Sequence, residues 1–290
     1  MSDQPITIER VAILAYKKIP DSIEEAKYIA DELEKHGIQA ICGEIHDDAL
    51  RSQVNAHEFN LMIVLGGDGT MLRAGHLGGP SNTPILGINL GRFGFLMEVQ
   101  QNAWREYLLR LVEGDFWLEN RMMLCAEHWR GENLLGKWDV LNEVAVSRGT
   151  IVRPIHLITF VDDRYLTTYV ADALIAATPT GSTAYALAAG GPILPPELRN
   201  ILIVPVAPHL SIERAIVLAE GSTVSISVQT DHEAVLSPDG QAPIALNDED
   251  RVVAYTGRHT VKFVRFQDPG YFYRNLTPHM NQNPSTGNQR

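Results

Sequence analysis

Three glycines and a carboxylate occupy Gly66-Gly67-Asp68-Gly69, and Thr70 follows them. Glycines let a backbone come close to a ligand and aim its N–H groups at phosphate oxygens. A helix starting near Thr70 would add its positive end to the same place. Asp68 is the odd residue, because a carboxylate repels phosphate. It makes sense if it holds a phosphate-bridging metal ion or takes a proton from an attacking hydroxyl. An ordinary Asp-Gly turn between a strand and a helix is the competing reading.

A second constellation is Thr178-Pro179-Thr180-Gly181-Ser182-Thr183-Ala184-Tyr185. Its hydroxyls around a Pro and a Gly make a rigid turn with neutral donors at a helix start, suited to ribose, phosphate or an adenine edge. Asp172, a little upstream, adds an acceptor for hydroxyl or amino groups. A third is Asn142-Glu143 in an otherwise apolar strand. Adjacent strand residues face opposite sides, so one of the two faces inward and needs a partner. One motif is a decoy. Gly131-Glu132-Asn133-Leu134-Leu135-Gly136-Lys137 fits the first part of a Walker A loop, but Trp138 stands where Ser or Thr is required and no helix pattern follows. It reads as a hairpin turn.

The elements that must position these groups change character along the chain. Arg10 to Tyr16 is a short aliphatic run typical of a buried strand. Ile23, Ala26, Ile29, Ala30 and Leu33 then repeat at helical spacing, with Asp21 or Ser22 as cap and Gly37 as stop. Ile38 to Cys42 reads as a second strand, so the three segments form a βαβ unit. Asn60 to Leu65 is a third strand running into the glycine loop; Pro84 to Asn89 is a fourth, and Ala103 to Val112 a helix. After about Phe116 the segments become short and β-branched: Val140 to Ser147, Ile155 to Val161, Tyr165 to Ala171, Thr223 to Gln229 and Arg251 to Tyr255. Asp162-Asp163 and Asp239-Gly240 read as hairpin turns. Only Gly181 to Ala189 reads as helical there. The fold expected is α/β plus β-rich: a Rossmann-like α/β domain over 1–115, then a sandwich-like β-rich domain over 116–276, and a disordered tail over 277–290.

With 290 residues the chain has room for about two domains, at roughly 150 residues each. Lys and Arg number 24 against 35 Asp and Glu, a net charge of −11. That excludes a protein that tracks nucleic acid or an anionic membrane by its overall field, though not one that holds a polyanion locally. Two cysteines exclude a disulfide framework. Ten histidines are scattered without HExxH or a Cys/His cluster, so no zinc site is expected. A polar start and the absence of a spanning apolar run point to a cytoplasmic protein without a membrane partner.

Taken together, the motifs resemble the NAD kinase family. The resemblance is carried by GGDGT (Gly66 to Thr70), INLGRFGFL (Ile88 to Leu96), LNEVAV (Leu141 to Val146) and ADALIAATPTGSTAYALAAGGPIL (Ala171 to Leu194). IVPVAPHLS (Ile203 to Ser211) and PDGQ (Pro238 to Gln241) continue it. GGDGT alone is shared with lipid kinases and phosphofructokinases, and a lipid or sugar kinase or a non-catalytic dinucleotide-binding regulator are the alternatives. The lipid or sugar kinase leaves TPTGSTAY and the Asn-Glu pair unexplained, and an intact Asp68 argues against the regulator.

The resemblance implies transfer of the γ-phosphate of ATP, or of polyphosphate, to the adenosine 2′-hydroxyl of NAD, with Mg²⁺ or another divalent metal on the phosphates. It implies Asp68 as general base, and Gly66, Gly67, Gly69, Thr70 and Arg73 at the phosphates. Asn142, Glu143, Asp172, Thr180, Thr183, Ala184 and Tyr185 would contact NAD, as would Asp68, Gly69, Arg73, Arg153, Ala207 and Gln241. It further implies a homodimer or homotetramer whose site lies between domains and is completed by a neighbouring subunit, with about 261–273 packing back on the first domain. Four features depart from the family pattern: Ala173 for the Gly after Asp172, Val170 for a basic residue, Phe93 for Leu, and the segment Leu210-Ser211-Ile212 for Ser-Leu-Ser.

Overall fold

A computed structural model describes residues 7–91, 94–209 and 212–281. The chain divides into two compact units, Met1–Asn120 with Val261–Arg290, and Arg121–Thr260.

The first unit alternates strand and helix: β1 (Arg10–Ala15), α1 (Ser22–Lys35), β2 (Gln39–Glu44), α2 (Asp48–Asn55), β3 (Leu61–Gly66), α3 (Asp68–Ser81), β4 (Ile85–Asn89), β5 (Val99–Gln100) and α4 (Trp104–Glu113). β1 pairs in parallel with β2 on one side and β3 on the other, and β4 extends the sheet beyond β3. The order β2-β1-β3-β4 reverses direction between β1 and β3. In open parallel sheets ligands bind outside the carboxyl ends of strands at such a reversal. β1 and β3 are buried along almost their whole length because helices cover both faces. α1 buries Ala26, Ile29, Ala30 and Leu33 and closes on Gly37 at φ +77°. Its expected side-chain cap is absent: Asp21 sits in the left-handed region without a cap bond, and the Ser22 hydroxyl donates to the Tyr16 carbonyl. α2 went unread in the sequence; Asp47 caps it by accepting from the Ala49 and Leu50 amides.

The second unit is antiparallel. Its elements are β6 (Trp117–Arg130, entering from the first unit), β7 (Asn133–Val140), β8 (Glu143–Arg148), β9 (Ile155–Val161), β10 (Arg164–Ala171), β11 (Ala173–Ala177), α5 (Tyr185–Ala188), β12 (Asn200–Val206), β13 (Ile216–Ala219), β14 (Thr223–Gln229), β15 (Ala234–Pro238), β16 (Ile244–Leu246) and β17 (Arg251–Arg265). One sheet runs β13-β12-β11-β8-β15-β16, while β10, β9, β14 and β17 pair in that order, β17 pairs β6, and β6 pairs β7. Alternate residues of both sets meet in one core, including Leu124, Val146, Leu157, Leu174, Ile203, Ile226 and Leu236. The opposite face of β8, β11 and β12 is covered too, through Ala145, Ile175, Leu202, Ala186 and Leu194. That double burial explains why β11 is apolar at every position and shows no period-2 signal.

The hairpin readings hold. Asp162 and Asp163 both take positive φ between β9 and β10, and Gly131 turns β6 into β7, which disposes of the Walker decoy.

β17 ends at Arg265 within the first unit, next to β4, and the chain continues as helix α6 (Tyr271–Asn281). Two expectations change here. The strand-like segment to Tyr273 stops at Arg265, and the tail expected to be disordered from Thr277 is helical as far as Asn281, because Tyr271 and Phe272 are buried and start a helix. Residues 282–290 lie outside the described residues, as do Phe93, Leu210 and Ser211. Among the described residues no helix is long and apolar enough to cross a membrane.

Candidate active site

In the first unit the glycine loop leaves β3 at its carboxyl end, beside the carboxyl end of β1. Helix α3 opens at Asp68 with Gly67 as cap, two residues before the expected start. Asp68 therefore stands in the first turn of a helix, where a negative charge is favourable. Gly66 has no room for a side chain, since a Cβ would lie 2.3 Å from Thr70 Oγ1. Thr70 is buried, while Gly67 is half-buried and Gly69 exposed. Thr70 thus seals the loop from beneath, its amide donating to the Gly67 carbonyl at 2.8 Å.

The Asp68 carboxylate does not project freely. Its Oδ2 accepts the Phe95 amide at 2.8 Å and its Oδ1 the Leu96 amide at 3.0 Å. Gly94 permits this approach, because a Cβ there would fall 2.1 Å from Asp68 Oδ1. An ionised carboxylate offers roughly four acceptor sites, so two remain for a substrate hydroxyl. Arg73, one turn on, is exposed; it donates to the Gly69 carbonyl at 3.0 Å and its guanidinium lies 5.5 Å over the Tyr16 ring. Tyr16 escapes a sequence reading, and although Phe95 and Leu96 lie in the INLGRFGFL segment, nothing in their types marks their amides as partners of Asp68.

In the second unit Asn142 and Glu143 form the bend into β8. One carboxylate organises that bend: Asp239 accepts the amides of Leu141 at 2.7 Å, Asn142 at 2.7 Å and Glu143 at 3.0 Å. Asp239 sits at φ +47° in the turn after β15, closed by the Gln241 amide donating to the Pro238 carbonyl. PDGQ is thus a support for the Asn-Glu bend besides being a turn. Glu143 faces inward as expected and is buried, but not by strand alternation: Asn142, half-buried, lies in the bend before β8, and the first four residues of β8 are all buried. Burial, and next the neighbouring Asp239, push the Glu143 carboxyl up to about 7, against which the Tyr185 amide donates to it. Its Oε2 has no partner. A buried carboxylate oxygen without a donor is costly unless a ligand supplies one.

The hydroxyl-rich turn packs on the same bend. Thr178 donates to the Leu141 carbonyl at 2.6 Å, and its amide to the Asn142 carbonyl at 2.8 Å. Gly181 is required by contact, since a Cβ would lie 2.1 Å from the Asn142 carbonyl oxygen. Ser182 ties the turn to Leu194, accepting its amide at 2.9 Å. Thr180 is buried and accepts from Arg121 Nη1 at 3.1 Å, a partner invisible in the sequence pattern. Thr183 and Ala184 are half-buried at the end of the turn, and Tyr185 is 44% exposed.

Asp172 lies at the junction of β10 and β11, with its Oδ1 3.0 Å from Arg148 Nε. Its amide donates to Val206, directly before Ala207, which holds a left-handed φ of +47°. Arg153 stands apart in an exposed loop, against Asp231 at 3.4 Å.

Both halves of the chain match known families of domains. Residues 14–116 match the family model described as the ATP-NAD kinase N-terminal domain, and residues 141–266 that of the C-terminal domain. The NAD kinase of Chloroflexus aurantiacus is 38% identical over 270 residues, which cover 93% of this chain and 97% of that one. That of Acetivibrio thermocellus is 36% identical over 264 residues, 87% of this chain and 91% of its own. Among solved structures, a yeast NADH kinase complexed with NADH superposes with a TM-score of 0.83 at 23% identity, over 96% of this chain and 89% of that one. An Archaeoglobus fulgidus NAD kinase in complex with ATP gives 0.75 at 24% identity, over 94% and 98%. The α/β amino-terminal part, the β-rich carboxy-terminal part and these matches define a phosphotransferase. More narrowly, the chain belongs to the NAD kinase family.

Proposed function

We propose that this protein transfers the γ-phosphoryl group of ATP to the 2′-hydroxyl of the adenosine ribose of NAD, giving NADP, with Asp68 as the general base. The observation that carries the proposal is the placement of Asp68: a carboxylate in a glycine-rich loop, at a helix amino end, gripped by two backbone amides. Such a group is fixed for one task, and the family's substrates define it. As the O2′–P bond forms and the bond from the γ-phosphorus to ADP breaks, the 2′-hydroxyl proton passes to Asp68. Phosphoryl transfer depends mainly on in-line placement and charge neutralisation, so a base and a rigid cradle suffice.

Asn142, Glu143 and the turn from Thr180 to Tyr185 hold the dinucleotide, with Asp172, Ala207 and Gln241 around it. The unpartnered Glu143 Oε2 is the natural acceptor for a ribose hydroxyl or the adenine amino group. Gly67 and Gly69 offer amides to phosphate, Thr70 closes the loop with its own amide on the Gly67 carbonyl, and Arg73 adds charge. Among the described residues no three His, Cys, Asp or Glu side chains gather into a metal cluster. Mg²⁺ enters with ATP as part of the substrate, where it screens the phosphates from Asp68. The resemblance also supports a cytoplasmic homo-oligomer, which size-exclusion chromatography with light scattering tests.

A matrix of ATP or polyphosphate against NAD or NADH, with Mg²⁺ or Mn²⁺, tests the reaction. NADP formation is expected from NAD and ATP. Asp68→Asn is expected to cut turnover by orders of magnitude while the circular dichroism spectrum is unchanged; full activity in that variant excludes the base assignment.

A further inference from the structure

One of the two residues whose amides grip Asp68 is itself held, and the group that holds it lies 169 residues away in sequence. Leu96 donates its amide to Asp68 Oδ1 at 3.0 Å and gives its carbonyl to Arg265 Nη1 at 3.1 Å. Arg265, at the end of β17, is fully buried. Its Nε donates to Glu119 Oε2 at 2.8 Å, and Nη1 also reaches Glu98 Oε2 at 3.1 Å. Glu98 Oε1 in turn accepts the amides of Phe266 at 2.9 Å and Gln267 at 3.3 Å, and the Tyr271 hydroxyl donates to both oxygens of Glu119 at 2.8 and 3.0 Å.

Burying an arginine between two carboxylates is poorly explained by stability alone. Ion clusters of this kind are often matched or bettered by apolar residues of similar volume. An apolar side chain, however, cannot donate to the Leu96 carbonyl. The rigid guanidinium fork reaches Glu119, Glu98 and Leu96 at once, which a point ammonium cannot do. Leu96 is thereby tied at both its amide and its carbonyl, so its backbone cannot drift.

We propose that Arg265 is a positioning residue for the reaction: through Leu96 it fixes the amide cradle that aims the Asp68 carboxylate. It touches no substrate. The proposal rests on the reading of Asp68 as the base. A misplacement of about 1 Å at a reacting group costs on the order of a hundredfold in rate, so a small loosening of this relay is measurable.

The experiment compares Arg265→Lys, Tyr271→Phe and Asp68→Asn, singly and as the Arg265→Lys/Asp68→Asn pair, by kcat, KM and thermal melting. Arg265→Lys is expected to lower kcat at least tenfold, with KM for NAD and ATP within twofold of the parent. Tyr271→Phe weakens the same buried cluster without touching Leu96, so it is expected to lower the melting temperature and keep kcat within twofold. In the Asp68→Asn background, Arg265→Lys is expected to cost less than a further twofold, because its effect passes through Asp68. Should Arg265→Lys not fold, Arg265→Met/Glu119→Gln removes one charge of each sign together, and the same fall in kcat is expected. A folded Arg265 variant with parental kcat overturns the proposal. So does an equal loss in Tyr271→Phe, or an undiminished loss in the Asp68→Asn background. Full turnover in Asp68→Asn alone overturns the base assignment instead, whatever Arg265 does.

Discussion

Asp68 and Glu143 are both carboxylates that the proposed reaction assigns to nucleotide substrates, yet their surroundings differ. Asp68 accepts two amides, which fix its direction. Glu143 is buried near a second carboxylate and pushed up to about 7. Because its folded value lies above its ordinary one, the native state binds the extra proton between about pH 4.5 and 7. Its contribution favours folding below that window and is lost as pH rises through it. Above pH 7 the charged Glu143 costs roughly 3 kcal/mol relative to an exposed one. Glu143→Gln should therefore raise the melting temperature more at pH 8 than at pH 5, while raising KM for NAD at both. A melting gain independent of pH would exclude the buried carboxylate as its cause. Gly94 supplies a second check on Asp68. Gly94→Ala drives a methyl into its carboxylate, so kcat should fall at least tenfold with little change in melting temperature.

Turns decide what the strands present. The bend at Leu141 to Glu143 has three amides facing one side chain from a turn about a hundred residues on. Removing the acceptor leaves buried donors unsatisfied, at about 1–3 kcal/mol for each group. Asp239→Ala should lower the melting temperature and raise KM for NAD severalfold, whereas Asp239→Asn, which keeps one acceptor oxygen, should recover part of both. Thermal melts with NAD titration distinguish the three proteins. Elements with a clear local signature were legible: α1 by its helical repeat, the Asp162-Asp163 hairpin by its turn residues, β14 by its alternation. β11 and β12 were not, since burial on both faces erases alternation. α2 was missed as well; its apolar residues, Leu50 and Val54, are too few to define a period.

For the molecule as a whole, the charge of −11 and the two polyanionic substrates have to be reconciled. No basic run attracts them; in the proposed reaction loop amides, hydroxyls and a few arginines would contact them, and a divalent ion on ATP would neutralise the rest. Chelation with EDTA is expected to abolish turnover and to leave NAD binding within a few fold, as calorimetry would show. Undiminished NADP formation without a divalent ion would remove that account. The sequence by itself determined the reaction class, and the glycine loop, the Asn-Glu pair and the hydroxyl turn proposed as its site are local motifs legible in their residue types. Only the tertiary structure decided how those groups are held. Asp239 beneath Glu143, Arg121 at Thr180 and Arg265 behind Leu96 act across long sequence separations through buried polar contacts. Such contacts leave no periodicity in the chain, because what requires them is the cost of an unpartnered polar group in a packed interior.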